Sequence, residues 1–233
     1  MTAPHDEPDA VAERYARRAA TDRYSPLRPD VWQTLQERQR ALIDLFGRLG
    51  WSHDLERRCL LEVGCGGGAN LLELLRLGFA PEHLSGVELL TERYTQARRV
   101  LPSGVALHAG DALQLERPPA SLDAVFVSTV FSSLLDAAFQ QRLADAMWHW
   151  VKPGGGVLWY DFTLDNPRNA DVRGVPLERV RALFPHGIVQ ARRVTLAPPI
   201  ARAVTRVHPA LYTLFNAVPL LRTHVLAWIA KPA

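Results

Sequence analysis

Lysine is nearly missing from this chain of 233 residues: Lys152 and Lys231 are the only two, and the remaining basic residues are arginine. The arginines are spread along the sequence and the formal net charge is only +3, so no dedicated nucleic-acid surface is predicted. Cysteine is equally scarce, with Cys59 and Cys65 alone. Six residues of extended chain span about 20 Å, far beyond disulfide reach, so no bridge between them is expected. No apolar run has the length of a membrane span, and the opening residues MTAPHDEPDAVAERYARR lack the apolar stretch of a signal peptide. The expected setting is therefore reducing and cytoplasmic. Internal repeats and low-complexity tracts are missing as well. What remains is an ordinary globular composition, 48% hydrophobic and 22% charged, at a length that suits one core with small appendages.

Apolar runs alternate with helical patterns through most of the chain. Helical spacing is seen over Ala10–Ala20 and again from about Pro29 to Leu49, where Leu35, Leu42, Phe46 and Leu49 share a face ahead of Gly50. Strands are predicted near Leu60, over Leu84–Leu89, Val105–Ala109, Leu122–Val127 and Val157–Phe162, and late in the chain over Ile188–Leu196 and Thr223–Ile229. Helices are predicted over Leu71–Leu77, Glu92–Leu101, the segment capped by Asp136, and Pro176–Phe184. Lys152–Gly156 reads as a turn. This alternation implies right-handed crossovers and a parallel sheet with helices on both faces. If the two late strands pair, the apolar, proline-interrupted stretch 197–222 between them is an insertion. It is either a lid over a pocket or a surface resting on a membrane.

The chain is organised around Leu60–Leu75, LLEVGCGGGANLLELL, an apolar strand that stops at Gly64, Gly66 and Gly68 and resumes as a helix. Glycine permits a left-handed turn and close approach of a ligand to the backbone, and a helix start offers unpaired N–H groups. Three more features fall at successive strand ends, where ligands bind in open α/β sheets: Glu88, Gly110-Asp111, and Ser128–Ser133. Together they describe one ligand site with a backbone cradle, an acid for ribose hydroxyls, a second acid beside a base, and a floor. The alternative nucleotide fingerprint, Gly64-x-Gly66-x-x-Ala69 with an acid about twenty residues on, leaves an NAD(P)-dependent oxidoreductase open.

These residues resemble the class I S-adenosylmethionine-dependent methyltransferases. The family's acid and G-x-G-x-G motif is matched by Glu62-Val63-Gly64-Cys65-Gly66-Gly67-Gly68, its ribose acid by Glu88, and its adenine-side pair by Gly110-Asp111. The resemblance covers Leu60 to Phe162, and the flanks are similar to small bacterial methyltransferases. It implies a Rossmann-like, doubly wound α/β fold with a mostly parallel seven-stranded sheet and an antiparallel last strand. An N-terminal helical extension or lid would occupy 1–50 and the methyltransferase domain 51–233, with the helical insertion at about 197–222, as one globular unit. It implies S-adenosyl-L-methionine as cofactor, with S-adenosyl-L-homocysteine as product. It also places Glu62, Gly64, Cys65, Gly66, Glu88, Leu89, Asp111, Ala112, Ser128 and Phe131 around that cofactor, with Tyr15 and Tyr24 closing the site. A fold relative that binds the cofactor only as a partner protein is the remaining alternative.

Methyl transfer needs alignment more than it needs a base, so the catalytic signature is faint. Asp161, at the end of the fifth strand, is the first candidate for a base or acceptor-orienting group, and His208, in the insertion, the second. Where methyltransferases of base amines carry D/N-P-P-Y/F, this chain reads Ser128-Thr129-Val130-Phe131, which disfavours a nucleic-acid acceptor. No Cys/His cluster or acid at that strand end suggests a metal. The expected acceptor is an oxygen, or a nitrogen, of a small metabolite or saccharide, with peripheral membrane contact through 197–222 left open.

Overall fold

The fold is that of a computed structural model, which describes residues 6–17, 25–167 and 169–233. Seven strands form one sheet in the order β3-β2-β1-β4-β5-β7-β6: β1 (Leu60–Val63), β2 (Leu84–Glu88), β3 (Ala106–Ala109), β4 (Leu122–Ser128), β5 (Val151–Phe162), β6 (Ile188–Leu196) and β7 (Arg222–Ala230). The first five run parallel. β7 inserts antiparallel between β5 and β6, so β6 again points with the others. The expected Rossmann-like sheet with an antiparallel last strand is the one observed.

Alternation along each strand sorts side chains to two faces. Leu61, Val63, Val125, Val127, Val157 and Trp159 pack with α5 (Ala137–Trp150) and α6 (Leu177–Leu183). Leu60, Leu84, Phe126, Leu158 and Trp228 face the opposite layer, with α2 (Pro29–Arg48), α3 (Ala69–Leu77) and α4 (Thr91–Val100). β1 is buried at every position, as a central parallel strand covered on both faces requires. Asp136 caps α5, its carboxylate accepting the N–H groups of Ala138 and Phe139.

Several boundaries differ from those read in the sequence. α1 spans Glu7–Ala16 rather than starting at Ala10, because Asp6 and the proline at its start already admit helix. The turn expected at Lys152–Gly156 lies inside β5: the register with β4 slips between Leu122 and Ala124, and Gly154 and Gly155 pair with Lys231 instead. A Cβ on Gly155 would stand 2.6 Å from the Asp123 carbonyl, so only glycine allows that crossing. The insertion resolves into α7 (Pro198–Val207) and α8 (Ala210–Asn216), which pack against α2. Cys59 and Cys65 are both free thiols, as their spacing required.

Candidate active site

The glycine turn after β1 takes left-handed dihedrals at Gly64 (φ 69°), Gly66 (φ 55°) and Gly68 (φ 85°). Its amides are largely used within the fold. Gly64 and Cys65 both donate to the Val87 carbonyl, Gly68 donates to Cys65, and Gly66 donates to Glu88 Oε2 at 2.8 Å. The turn is thus a fixed wall stitched to β2 rather than an open cradle of donors. Glu88 also accepts the Leu90 N–H on Oε1 at 2.9 Å. Each of its oxygens keeps lone-pair capacity toward the cleft.

That cleft opens at the carboxyl ends of β1 to β4. Gly64, Glu88, Leu89, Asp111, Ala112, Ser128 and Tyr15 all line it, so seven of the residues expected around the cofactor meet at one place. Asp111 accepts the Leu113 N–H on Oδ1 and thereby starts the short turn over 112–114. Arg93, Val130, Ser133, Leu134, Phe139 and Leu143 line the cleft too. Val130 and Ser133 belong to the expected floor segment Ser128–Ser133; sequence reasoning missed the other four, of which Phe139 and Leu143 lie on the buried apolar face of α5.

α1 closes one side. Arg14 donates to Glu7 at 2.6 Å and to the Ser133 carbonyl at 3.0 Å, while Glu7 also accepts the Leu135 N–H. The Tyr15 hydroxyl meets Ser133 Oγ at 3.3 Å, and the Arg93 guanidinium lies 4.4 Å from the Tyr15 ring centre. One helix is therefore tied to the segments following both β2 and β4. Tyr24 lies outside the described residues.

Four other expected residues sit elsewhere. Phe131 is fully buried against Trp159, with ring centres 4.6 Å apart, because the turn over 131–133 folds inward; Val130 takes the cleft position instead. The Cys65 side chain points into the core beside Gly86, where burial pushes its thiol up. Asp161 does not line the cleft: it is buried, accepting the Ser132 N–H at 3.0 Å and the Phe162 N–H at 2.9 Å. Burial pushes its carboxyl up to about 7, those hydrogen bonds notwithstanding. His208 is exposed and its Nδ1 accepts the Ala210 N–H, capping the approach to α8.

Glu62 lies fully buried beneath the glycine turn. Its Oε1 accepts from Asn70 at 2.5 Å, Asn70 accepts from Arg38 at 2.6 Å, and Arg38 also donates to Glu73 at 3.3 Å. Its Oε2 has no hydrogen-bond partner among the described residues. Burial, with Glu88 and Glu73 nearby, raises the Glu62 carboxyl to about 8 against the opposing pull of Asn70 and Arg38. The same Arg38 lies over the Tyr160 ring, which stacks on His224 with centres 5.1 Å apart. Tyr160 bonds Thr195 at 2.8 Å, and Thr195 bonds Glu37. Burial, then Arg38, drives His224 down to about 4, so it is neutral at physiological pH. Among the described residues no group of three or more His, Cys, Asp or Glu is placed to hold a metal ion.

Residues 60–155 match the family model described as a methyltransferase domain. Over that stretch the chain is similar to a methyltransferase domain. The enzyme class and methyl donor implied by the sequence resemblance, an S-adenosylmethionine-dependent methyltransferase, agree with this match. No curated protein sequence matches the chain. Among solved structures, the Burkholderia thailandensis 1,6-didemethyltoxoflavin N1-methyltransferase, with bound 1,6-didemethyltoxoflavin and S-adenosylhomocysteine, is similar over 99% of this chain and 93% of its own, at 17% identity and a TM-score of 0.62. A SAM-dependent methyltransferase from Archaeoglobus fulgidus matches over 84% of this chain and 96% of its own, at 14% identity and a TM-score of 0.60. Phosphoethanolamine N-methyltransferase 2 of Haemonchus contortus, in complex with S-adenosyl-L-methionine, matches over 92% of this chain and 61% of its own, at 16% identity and a TM-score of 0.60. At these identities the likeness carries the fold alone.

Proposed function

We propose that the cleft binds S-adenosylmethionine and that the enzyme transfers its methyl group to an oxygen of a small metabolite or saccharide, with a nitrogen acceptor as the second reading. The observation that carries the cofactor assignment is Glu88: a buried acid at the end of β2, held by two backbone N–H groups, with lone pairs left for the two hydroxyls of a ribose. Asp111 and Ala112 at the end of β3 would border the adenine, and Gly64, lacking a Cβ, would admit the methionine moiety close to the backbone. The free Oε2 of Glu62 suits an ammonium group arriving above the turn.

The donor supplies a methyl group already activated on a sulfonium. What the protein adds is alignment, which can contribute about 7–11 kcal/mol when the reacting atoms are held in near-attack geometry. Ser128, Thr129 and Val130 at the end of β4 form the floor. Thr129 is held at φ 55°, a costly conformation for a β-branched residue, with its N–H on the Tyr160 carbonyl. The nitrogen reading is favoured by the Burkholderia thailandensis enzyme, an N1-methyltransferase whose chain is matched almost throughout. Calorimetry with S-adenosylhomocysteine and with NADH tests the cofactor: binding of NADH alone would restore the oxidoreductase reading. Incubation with a metabolite extract and labelled donor, read as one-methyl mass shifts, identifies the acceptor class.

A further inference from the structure

We propose that the face built by the end of α7, α8 and the turn after it, residues 207–220, docks this protein on an anionic lipid bilayer. The arginines run the length of the chain, but the acids stop: all 24 Asp and Glu lie before Arg179, whereas eight Lys and Arg follow Glu178. The insertion thus belongs to a segment with positive charge and no counter-charge of its own. Arg202 and Arg206 on α7 have no ion-pair partner among the described residues.

Apolar side chains stand out from that same surface. Val207 is 78% exposed, Leu214 65% and Leu220 86%, with Phe215 and Val218 exposed between them. Leu211, Leu214, Phe215 and Val218 fall at i, i+3, i+4 and i+7, a single stripe that α8 begins and Ala217 continues in helical conformation. The insertion already has its own small core, in which Leu196, Ala201 and Tyr212 are buried, so the stripe is surplus to folding. Nor does it serve the cleft, since none of these residues lines it. Thr34 bonds Tyr212 at 3.2 Å and so pins the start of α2 beside α8; Leu27 and Trp32, near that end, are exposed as well. Protruding apolar residues flanked by unpaired arginines fit an anionic headgroup layer. A second copy of the chain would bring like charge against like charge.

The insertion joins the end of β6 to the start of β7, at the same carboxyl-terminal end of the sheet as the cleft but across β5 and β7 from β4. Docking would turn that end of the sheet toward the headgroups and present a lipid-carried acceptor. This last step rests on the methyltransferase reading; the docking does not. Flotation of the full chain with vesicles of phosphatidylcholine containing about 30 mol % phosphatidylglycerol, against phosphatidylcholine alone, tests it without cofactor. The expected results are association at least about tenfold stronger with the anionic vesicles, and its loss when salt is raised from about 0.1 to about 0.5 M. Leu214→Ser with Leu220→Ser, and separately Arg202→Glu with Arg206→Glu, should each lower it about tenfold while melting temperature and S-adenosylhomocysteine binding hold. No association, association indifferent to both pairs, or a concentration-dependent dimer that the same substitutions dissolve would each overturn the proposal.

Discussion

Glu88 and Gly66 are joined by a 2.8 Å hydrogen bond from the Gly66 N–H to Oε2, so the acid that ends β2 fixes the turn that ends β1. Removing that carboxylate strands two backbone donors, Gly66 and Leu90, at about 1–3 kcal/mol each. Glu88→Ala is expected to weaken S-adenosylhomocysteine binding by about 100-fold or more, by calorimetry. Glu88→Gln, which keeps one acceptor oxygen, should fall between the two. Wild-type affinity in the alanine variant would remove Glu88 from the site.

Glu62 gives a second expectation, in protons. With its carboxyl raised to about 8 by burial, it is largely protonated at pH 7 in the free protein. An ammonium placed against its open oxygen favours the carboxylate, so cofactor binding at pH 7 should release close to one proton, and affinity should rise with pH toward 8. Binding enthalpies measured in phosphate and in Tris would then differ by the difference in buffer ionisation heat. Glu62→Gln should erase that difference; a difference that persists would place the proton elsewhere.

The two raised carboxyls also set the pH dependence of the ligand-free fold. Glu62 and Asp161, at about 8 and about 7, titrate above their unfolded values. Their stabilisation is complete below about pH 4 and is lost as pH climbs through 7 and 8. The melting temperature should therefore fall across that window, and Glu62→Gln should flatten the fall. Asp123 works in the opposite sense: with Lys152 and the Cys59 N–H holding its carboxyl below the usual range, its contribution is lost only in acid.

Neighbouring glycines should behave differently when given a Cβ. At Gly64 the added carbon would stand 2.7 Å from Val130 Cγ2, on top of a left-handed backbone. At Gly66 the nearest atom is the flexible end of Arg93, 4.0 Å away. Gly66→Ala should cost about 1–2 kcal/mol for the dihedral alone, and Gly64→Ala clearly more, in denaturant titrations. Equal losses would mean that Val130 yields freely.

Asp161 is expected to act as a fastener. Its oxygens hold the turn over 131–133 to β5, so Asp161→Asn, which turns an amide donor toward an N–H, should lower stability by about 1–3 kcal/mol. The pH dependence of kcat should keep its shape. Loss of an ionisation near neutrality at unchanged melting temperature would instead make Asp161 the base.

The sheet was legible because its strands are short apolar runs ended by glycine, acid or proline, and the lining of the cleft because Glu88 ends one such run and Asp111 follows another. Phe131 was misplaced since a sequence does not reveal whether a turn after a strand folds outward or in. The stretch Lys152–Gly156 read as a turn because glycine and proline mark both turns and irregular strand crossings, and its partner, Lys231, lies far along the chain. The cluster of Arg38, Tyr160 and His224 joins α2, β5 and β7, so no local spacing announces it. Its members become neighbours only once the sheet exists.

The strand order β5-β7-β6 has a consequence for how the chain is made. β6 finds no strand partner until β7 has been synthesised, because β7 lies between it and the rest of the sheet. On the ribosome the first five strands can assemble from local crossovers while residues 188–221 wait with an unpaired edge. The sheet is thus completed only once residues 222–230 have emerged, and until then the insertion carrying α7 and α8 has no second strand to anchor it.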